Sequence, residues 1–255
     1  MTEPLNLNFS TEDFANLANI NVKLLQLTNQ LSTQVRQLAD LRLSELITSR
    51  QESHHNPFCV YGRKGFSQTD EDGLTFEIIR RLGIENGIFA EFGVGNGTEN
   101  NTISLLGAKW KGFWVGGEEL AFSTEQSNRL FFSRERVNLG NILTLYHQGV
   151  QNLGVEDVDL ISLDLDGNDF FFVNKILSSG IQPKVFIVEY NAKFPPPMRF
   201  SIEYDENHSW DGSDYYGASL CTFNDLFEKF DYSLVCCNAA TGANAFFVRK
   251  EYLQK

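Results

Sequence analysis

Phe89-Ala90-Glu91-Phe92-Gly93-Val94-Gly95-Asn96-Gly97-Thr98 is the stretch on which the fold turns. An apolar run ends in an acidic residue, and glycines then let the backbone turn sharply and approach a ligand with no Cβ in the way. In a dinucleotide site the pyrophosphate sits on the N-terminus of the following helix. Here the third glycine follows directly, as GxGxG, and the Glu91 carboxylate ahead of the loop repels a pyrophosphate but can accept from an ammonium. A methionine-bearing cofactor fits better than a dinucleotide. Glu91, Gly93, Gly95, Asn96 and Gly97 are the first candidate cofactor-binding residues.

From Gly87 onward, short apolar runs alternate with helical stretches, the pattern of βαβ units and a parallel sheet. Strands are expected at Ile88 to Phe92, Lys111 to Val115, Leu143 to His147, Asp159 to Asp164 and Lys184 to Glu189. Tyr232 to Cys237 and Ala245 to Arg249 flank a Gly-containing turn and read as an antiparallel terminal hairpin. The expected class is α/β, Rossmann-like, with a mostly parallel sheet and an antiparallel C-terminal hairpin, the usual sheet of class I methyltransferases.

The second strand of such a site should end in an acid that holds the cofactor ribose. The chain instead continues Gly116-Gly117-Glu118-Glu119. Either Glu118 or Glu119 does that work from a displaced position, or both are solvated charges at a strand end. The most specific signal is Asp159-Leu160-Ile161-Ser162-Leu163-Asp164-Leu165-Asp166-Gly167-Asn168-Asp169, which gathers carboxylates at a strand end where ligands bind in open parallel sheets. Clustered carboxylates repel one another unless a cation or donors compensate. Two accounts follow. In one, Asp166, Glu189 and Asn191 ligate a divalent cation such as Mg²⁺ or Mn²⁺ that acidifies an acceptor hydroxyl. In the other no metal is needed, and Asp164 and Asp166 hold the cofactor or the acceptor directly.

These segments together resemble the FkbM-like methyltransferases over roughly residues 66 to 247. The likeness is carried by Phe66-Ser67-Gln68 with Glu71-Asp72, by residues 91 to 97 with Asn100-Asn101-Thr102, by residues 163 to 169, and by Val188-Glu189-Tyr190-Asn191. The resemblance implies S-adenosylmethionine as cofactor and a small-molecule acceptor, with O-methylation of a sugar, nucleotide-linked or glycan precursor, or of a natural product. Family members commonly carry Asp where this chain has Gly116, so the ribose contact departs from the pattern. The rival readings are a non-catalytic scaffold of the same fold, which the loss at Gly116 favours, and a nicotinamide oxidoreductase, which the absence of GxGxxG disfavours.

On the acceptor side, the stiff Phe194-Pro195-Pro196-Pro197 and the polar, aromatic segment Tyr204 to Asp211 follow the last core strand. His208 is the leading candidate base among the four histidines, with Asp164 and Asp166 as the other catalytic candidates. The competing reading of His208 is a surface histidine in an insert.

Residues 1–50 are expected to form an N-terminal helical segment and 51–255 the methyltransferase domain. Leu17, Leu24, Leu31 and Leu38 recur every seven residues, with Ile20, Leu27 and Leu41 between them and Gln34 as one polar break. That a/d seam points to a homo-oligomer, against the plainer reading of a helix lying on its own domain. A net charge of −12 without a dense basic run argues against nucleic acid and anionic membranes as partners. Met1-Thr2-Glu3-Pro4 lacks a basic and apolar leader, and a cytoplasmic location with reduced thiols is expected. Cys59, Cys221, Cys236 and Cys237 show no zinc spacing, and the adjacent pair should point to opposite faces of its strand.

Overall fold

The computed structural model describes residues 10–125, 127–165 and 167–253. The chain divides into two compact units between Leu46 and Ile47. The first consists of helix; α1 (Thr11–Ser53) contains no Gly or Pro. Within it the hydroxyls of Thr28 and Thr33 donate back to the carbonyls of Leu24 and Asn29, each at 2.9 Å.

The second unit is α/β. A 3-10 turn (Pro57–Tyr61) and α2 (Glu71–Leu82) precede β1 (Ile88–Phe92), α3 (Ile103–Gly107), β2 (Lys111–Gly116), β3 (Leu130–Arg134) and α4 (Ile142–Leu153). Then come β4 (Leu160–Leu163), α5 (Asp169–Ser178), β5 (Val185–Glu189), α6 (Leu220–Glu228), β6 (Tyr232–Cys237) and β7 (Asn244–Arg249). The sheet order is β3-β2-β1-β4-β5-β7-β6, with the first five strands parallel and β7 antiparallel to both neighbours. This is the expected α/β, Rossmann-like architecture: a mostly parallel sheet with a reversed terminal hairpin, and a long helix earlier in the chain.

One expected strand is a helix. Residues 143–147 are a short run of mostly apolar and aromatic side chains, but the wider spacing of buried Ile142, Leu145, Tyr146, Gly149 and Val150 is helical, and α4 ends on Gly154 in the left-handed region. The fifth parallel strand is instead β3, an edge strand whose buried start is Leu130.

Alternation along the central strands fills two cores. Ala90, Phe92, Phe113, Ile161, Leu163 and Phe186 face α4, α5 and α6. Phe89, Trp114, Leu160, Val185 and Ile187 face α2 and α3. Cys236 lies in the second core and Cys237 against the first, as their adjacency on a strand requires, and all four cysteines are free.

The segment before α2 is held by three consecutive buried carboxylates. Asp72 accepts from the backbone N–H groups of Gly65, Phe66 and Ser67 at 2.7 to 2.9 Å. Asp70 accepts from Ala239 and Ala240, and Glu71 from Asn238 and Asn244. Buried charge is tolerated because each is met by donors. The result fixes residues 65–69 against the β6–β7 turn, beside the C-terminal ends of the parallel strands. Among the described residues no helix is long and apolar enough to cross a membrane.

Candidate functional site

The loop after β1 carries three glycines at positive φ, each for a different reason. Gly93 (φ +91°) passes under the β4 end: a Cβ there would stand 1.5 Å from the Asp164 carbonyl oxygen. At Gly97 (φ +82°) a Cβ would lie 2.8 Å from Leu120 Cδ2, so its constraint is packing beneath the loop. At Gly95 (φ +51°) a Cβ would meet nothing within 4 Å. The bare backbone of Gly95 therefore faces open space, as close approach of a ligand requires. Asn96 borders the same space, but its Oδ1 accepts from the Thr98 N–H and hydroxyl at 3.1 and 2.7 Å and shapes the loop.

Glu91 is on the α3 face of β1. Its carboxylate accepts from the backbone N–H groups of Asn101 (2.9 Å) and Thr102 (3.1 Å) and from the Thr102 hydroxyl (2.5 Å). Burial pushes its pKa up to about 7, against these hydrogen bonds, which favour the charged form. Its first task is thus to organise the start of α3, and it also borders the cleft.

Beyond β2, a Cβ on Gly116 would stand 2.9 Å from Val94 Cγ2, so the side chain of Val94 occupies the space an acid would need there. The two candidate acids separate. Glu118 lines the cleft, whereas Glu119 is exposed and lies 3.7 Å from Arg134.

The carboxylate run after β4 also divides. Asp169 is buried and accepts from Leu165 N–H (2.7 Å) and Gly167 N–H (2.9 Å), closing the turn into α5. Burial, and then the Asp164 charge, push its pKa up to about 7. Asp164 itself borders the cleft. Asp166, expected as a catalytic residue and a ligand, lies outside the described residues.

Two lobes meet over this loop and share Gly93, Gly95, Glu118 and Asp164. The first, about 420 Å³, is polar and reaches Gln68, Glu91, Asn101 and Asn244. The second, about 270 Å³, is bordered by Arg136, Val137, Leu165, Phe172 and His208. His208 is seated on Gly167, where a Cβ would lie 2.3 Å from its ring. Its loop is tied down by Asn168, which donates to the Asp205 carbonyl at 2.8 Å. The His208 Nε2 atom is buried with no protein partner among the described residues.

Of the expected metal ligands, Glu189 and Asn191 lie within the described residues. Asn191 is fully buried and its carboxamide is engaged, donating to the carbonyls of Asp214 and Tyr216 at 2.9 Å and accepting from Lys193 N–H at 3.0 Å. That corrects its expected role: it anchors the loop after β5. Glu189 ends β5 opposite Asn244. Its charge, with those of Asp214 and Asp164, raises the pKa of Tyr216, after burial as the largest cause. Among the described residues no group of three or more His, Cys, Asp or Glu is arranged to hold a metal.

Sequence reading missed Asn244 and Val137 and gave no role to Leu165 or Phe172. Gln68 and Asn101 stood within quoted motifs but had no assigned role; nothing local marks Asn244, which arrives by way of the terminal hairpin.

No protein-family model matches this chain, and no curated protein matches it. Among solved structures, the 1,6-didemethyltoxoflavin-N1-methyltransferase of Burkholderia thailandensis, with bound 1,6-didemethyltoxoflavin and S-adenosylhomocysteine, is similar at a TM-score of 0.43 and 9% identity over 84% of this chain and 88% of that one. The cyclase SpnF is similar at 0.39 and 15% identity, over 80% and 74%. A fibrillarin/Nop5p complex gives 0.38 and 13%, over 64% and 72%. Likenesses of this degree carry no residue role or activity over to this chain.

Proposed function

We propose that residues 51–255 bind S-adenosylmethionine across the two lobes and transfer its methyl group to a hydroxyl of a small molecule, in the manner of the FkbM-like enzymes the sequence resembles. The observation that carries this reading is the meeting of a polar and a partly apolar lobe over the open face of Gly95, with Glu118 on one side and Asp164 on the other. A ligand with a charged amino-acid tail, a diol in its middle and a flat base has that sequence of needs. The tail is assigned to the lobe of Glu91 and Asn101, the ribose hydroxyls to Glu118, and the base to the wall of Val137, Leu165 and Phe172. The cleft sits at the C-terminal ends of the parallel strands, where β1 separates connections running to opposite sides, the usual ligand position in open α/β sheets.

When bound, S-adenosylmethionine supplies an electrophilic methyl on a sulfonium. Transfer to a hydroxyl oxygen would leave S-adenosylhomocysteine and release the hydroxyl proton, which a residue of the chain must accept. Asp164 is assigned to take the proton, because it borders both lobes. His208 is assigned to the base lobe, where its Nε2 can meet a polar edge of the purine. The acceptor is assigned to the side of Gln68 and Asn244, and a neutral sugar or polyol suits that polar surface.

The test is S-adenosylhomocysteine formation by the full chain with a panel of sugars and polyphenols. Acceptor-dependent product carrying one added methyl supports transfer. Cofactor binding with no product from any acceptor favours the scaffold reading.

A further inference from the structure

We infer that the N-terminal helix forms a parallel, in-register coiled coil with a second copy of this chain. The inference stands apart from the reading of the cleft. With Leu17, Leu24, Leu31 and Leu38 as heptad position a, position d holds Ile20, Leu27, Gln34 and Leu41. The seam lies entirely within α1 and runs roughly 36 Å, at about 1.5 Å per residue. The a-position leucines are 48% to 66% exposed, and Ile20, Leu27 and Leu41 are 55%, 52% and 64% exposed. A narrow apolar stripe repeating every 3.5 residues is the pattern that a helical partner covers.

Two features select a second copy over an unrelated partner. In a parallel pair, each g residue meets the e residue of the next heptad on the other helix. Here Lys23 would face the partner's Thr28, Gln30 the partner's Val35, and Gln37 the partner's Arg42. No like charges are opposed, and no run of one sign calls for a partner of the other. The second feature is Gln34. Only in a parallel, in-register pair does a d residue meet its own copy, so that the two carboxamides hydrogen-bond to each other. An antiparallel pair, or a slip of one heptad, would bury Gln34 against leucine with its polar atoms unmet.

Light scattering on the full chain tests this together with cysteine cross-linking. The unsubstituted chain should show at least twice its single-chain mass. Leu24→Asp combined with Leu31→Asp should reduce it to the single-chain mass, while thermal unfolding of the α/β unit is unchanged. Ile20→Cys and Leu41→Cys, tested separately under oxidation, should each give a covalent dimer, with the unsubstituted chain as control for its four native thiols. A single-chain mass for the unsubstituted protein overturns the inference. So does a multimer whose mass survives both aspartates, or one in which neither cysteine cross-links to its own copy.

Discussion

The Asp164 carbonyl oxygen lies 1.5 Å from the point where a side chain on Gly93 would begin. The β1 loop and the β4 loop are therefore locked together through bare backbone, while two residues on, Gly95 faces open space. The two glycines should separate stability from binding. Gly93→Ala must push one loop off the other and is expected to lower stability by about 3 kcal/mol or more, the range of severe backbone strain. Gly95→Val should lose about 1–2 kcal/mol from its left-handed conformation and remain folded, with S-adenosylhomocysteine affinity down at least tenfold. Urea unfolding and calorimetry on both variants check the pair; equal effects of the two substitutions on both readouts would contradict the assignment.

The adjacent acids Glu118 and Glu119 should behave differently. Glu118→Gln is expected to weaken cofactor binding by about ten- to a hundredfold, through loss of charge-assisted bonds to the ribose diol. Glu119→Gln should leave affinity and stability unchanged, since its ion pair with Arg134, at 3.7 Å, is long and exposed. Parallel titrations of the two variants decide it, and a larger loss at Glu119 would reverse the roles.

Strand periodicity and the glycine pattern made β1, β2, β4, β5 and the terminal hairpin legible, because each is an apolar run bounded by turn residues. The fifth parallel strand was not: Leu130 to Arg134 is a half-buried edge strand, and the short, mostly apolar run at 143–147 mimicked a strand inside α4. The position of the cleft was legible at Gly95 and Glu118, which follow strand ends and line it. The site was not legible where side chains do two jobs. Asp169 and Asn191 look like ligands in sequence, yet each is consumed by nearby backbone groups. The links from Asp70 and Glu71 to Ala239 and Asn244 span more than 160 residues and leave no local trace.

Stability should fall as pH rises toward neutrality. Burial pushes the Glu91 pKa up from its ordinary 4.5 to about 7, so the folded protein holds this proton more tightly than the unfolded chain. Its contribution is fully present below the unfolded pKa and is lost as pH passes through about 7. At about 1.4 kcal/mol per unit the change for Glu91 is on the order of 3 kcal/mol, and Asp169, also raised to about 7, acts in the same direction. Denaturant midpoints between about pH 4.5 and 7.5 should show the decline. Glu91→Gln should flatten it, and an equally steep decline in that variant would remove Glu91 as its source.

Exhaustive chelation should leave methyl transfer unchanged, since Asn191 is committed to the carbonyls of Asp214 and Tyr216 and to the Lys193 N–H. Activity measured before and after EDTA, with Mg²⁺ and Mn²⁺ added back, checks this. Loss on chelation with recovery on add-back would return a divalent ion to the reaction.

The central claim is that the cleft over Gly95 holds S-adenosylmethionine, and calorimetric titration of the full chain with S-adenosylhomocysteine tests it most directly. The account predicts one site per chain with micromolar or tighter affinity, weakened at least tenfold by Gly95→Val and by Glu118→Gln, and no heat with NAD⁺. Absence of S-adenosylhomocysteine binding by a folded chain, or saturable binding of NAD⁺ in its place, would contradict it.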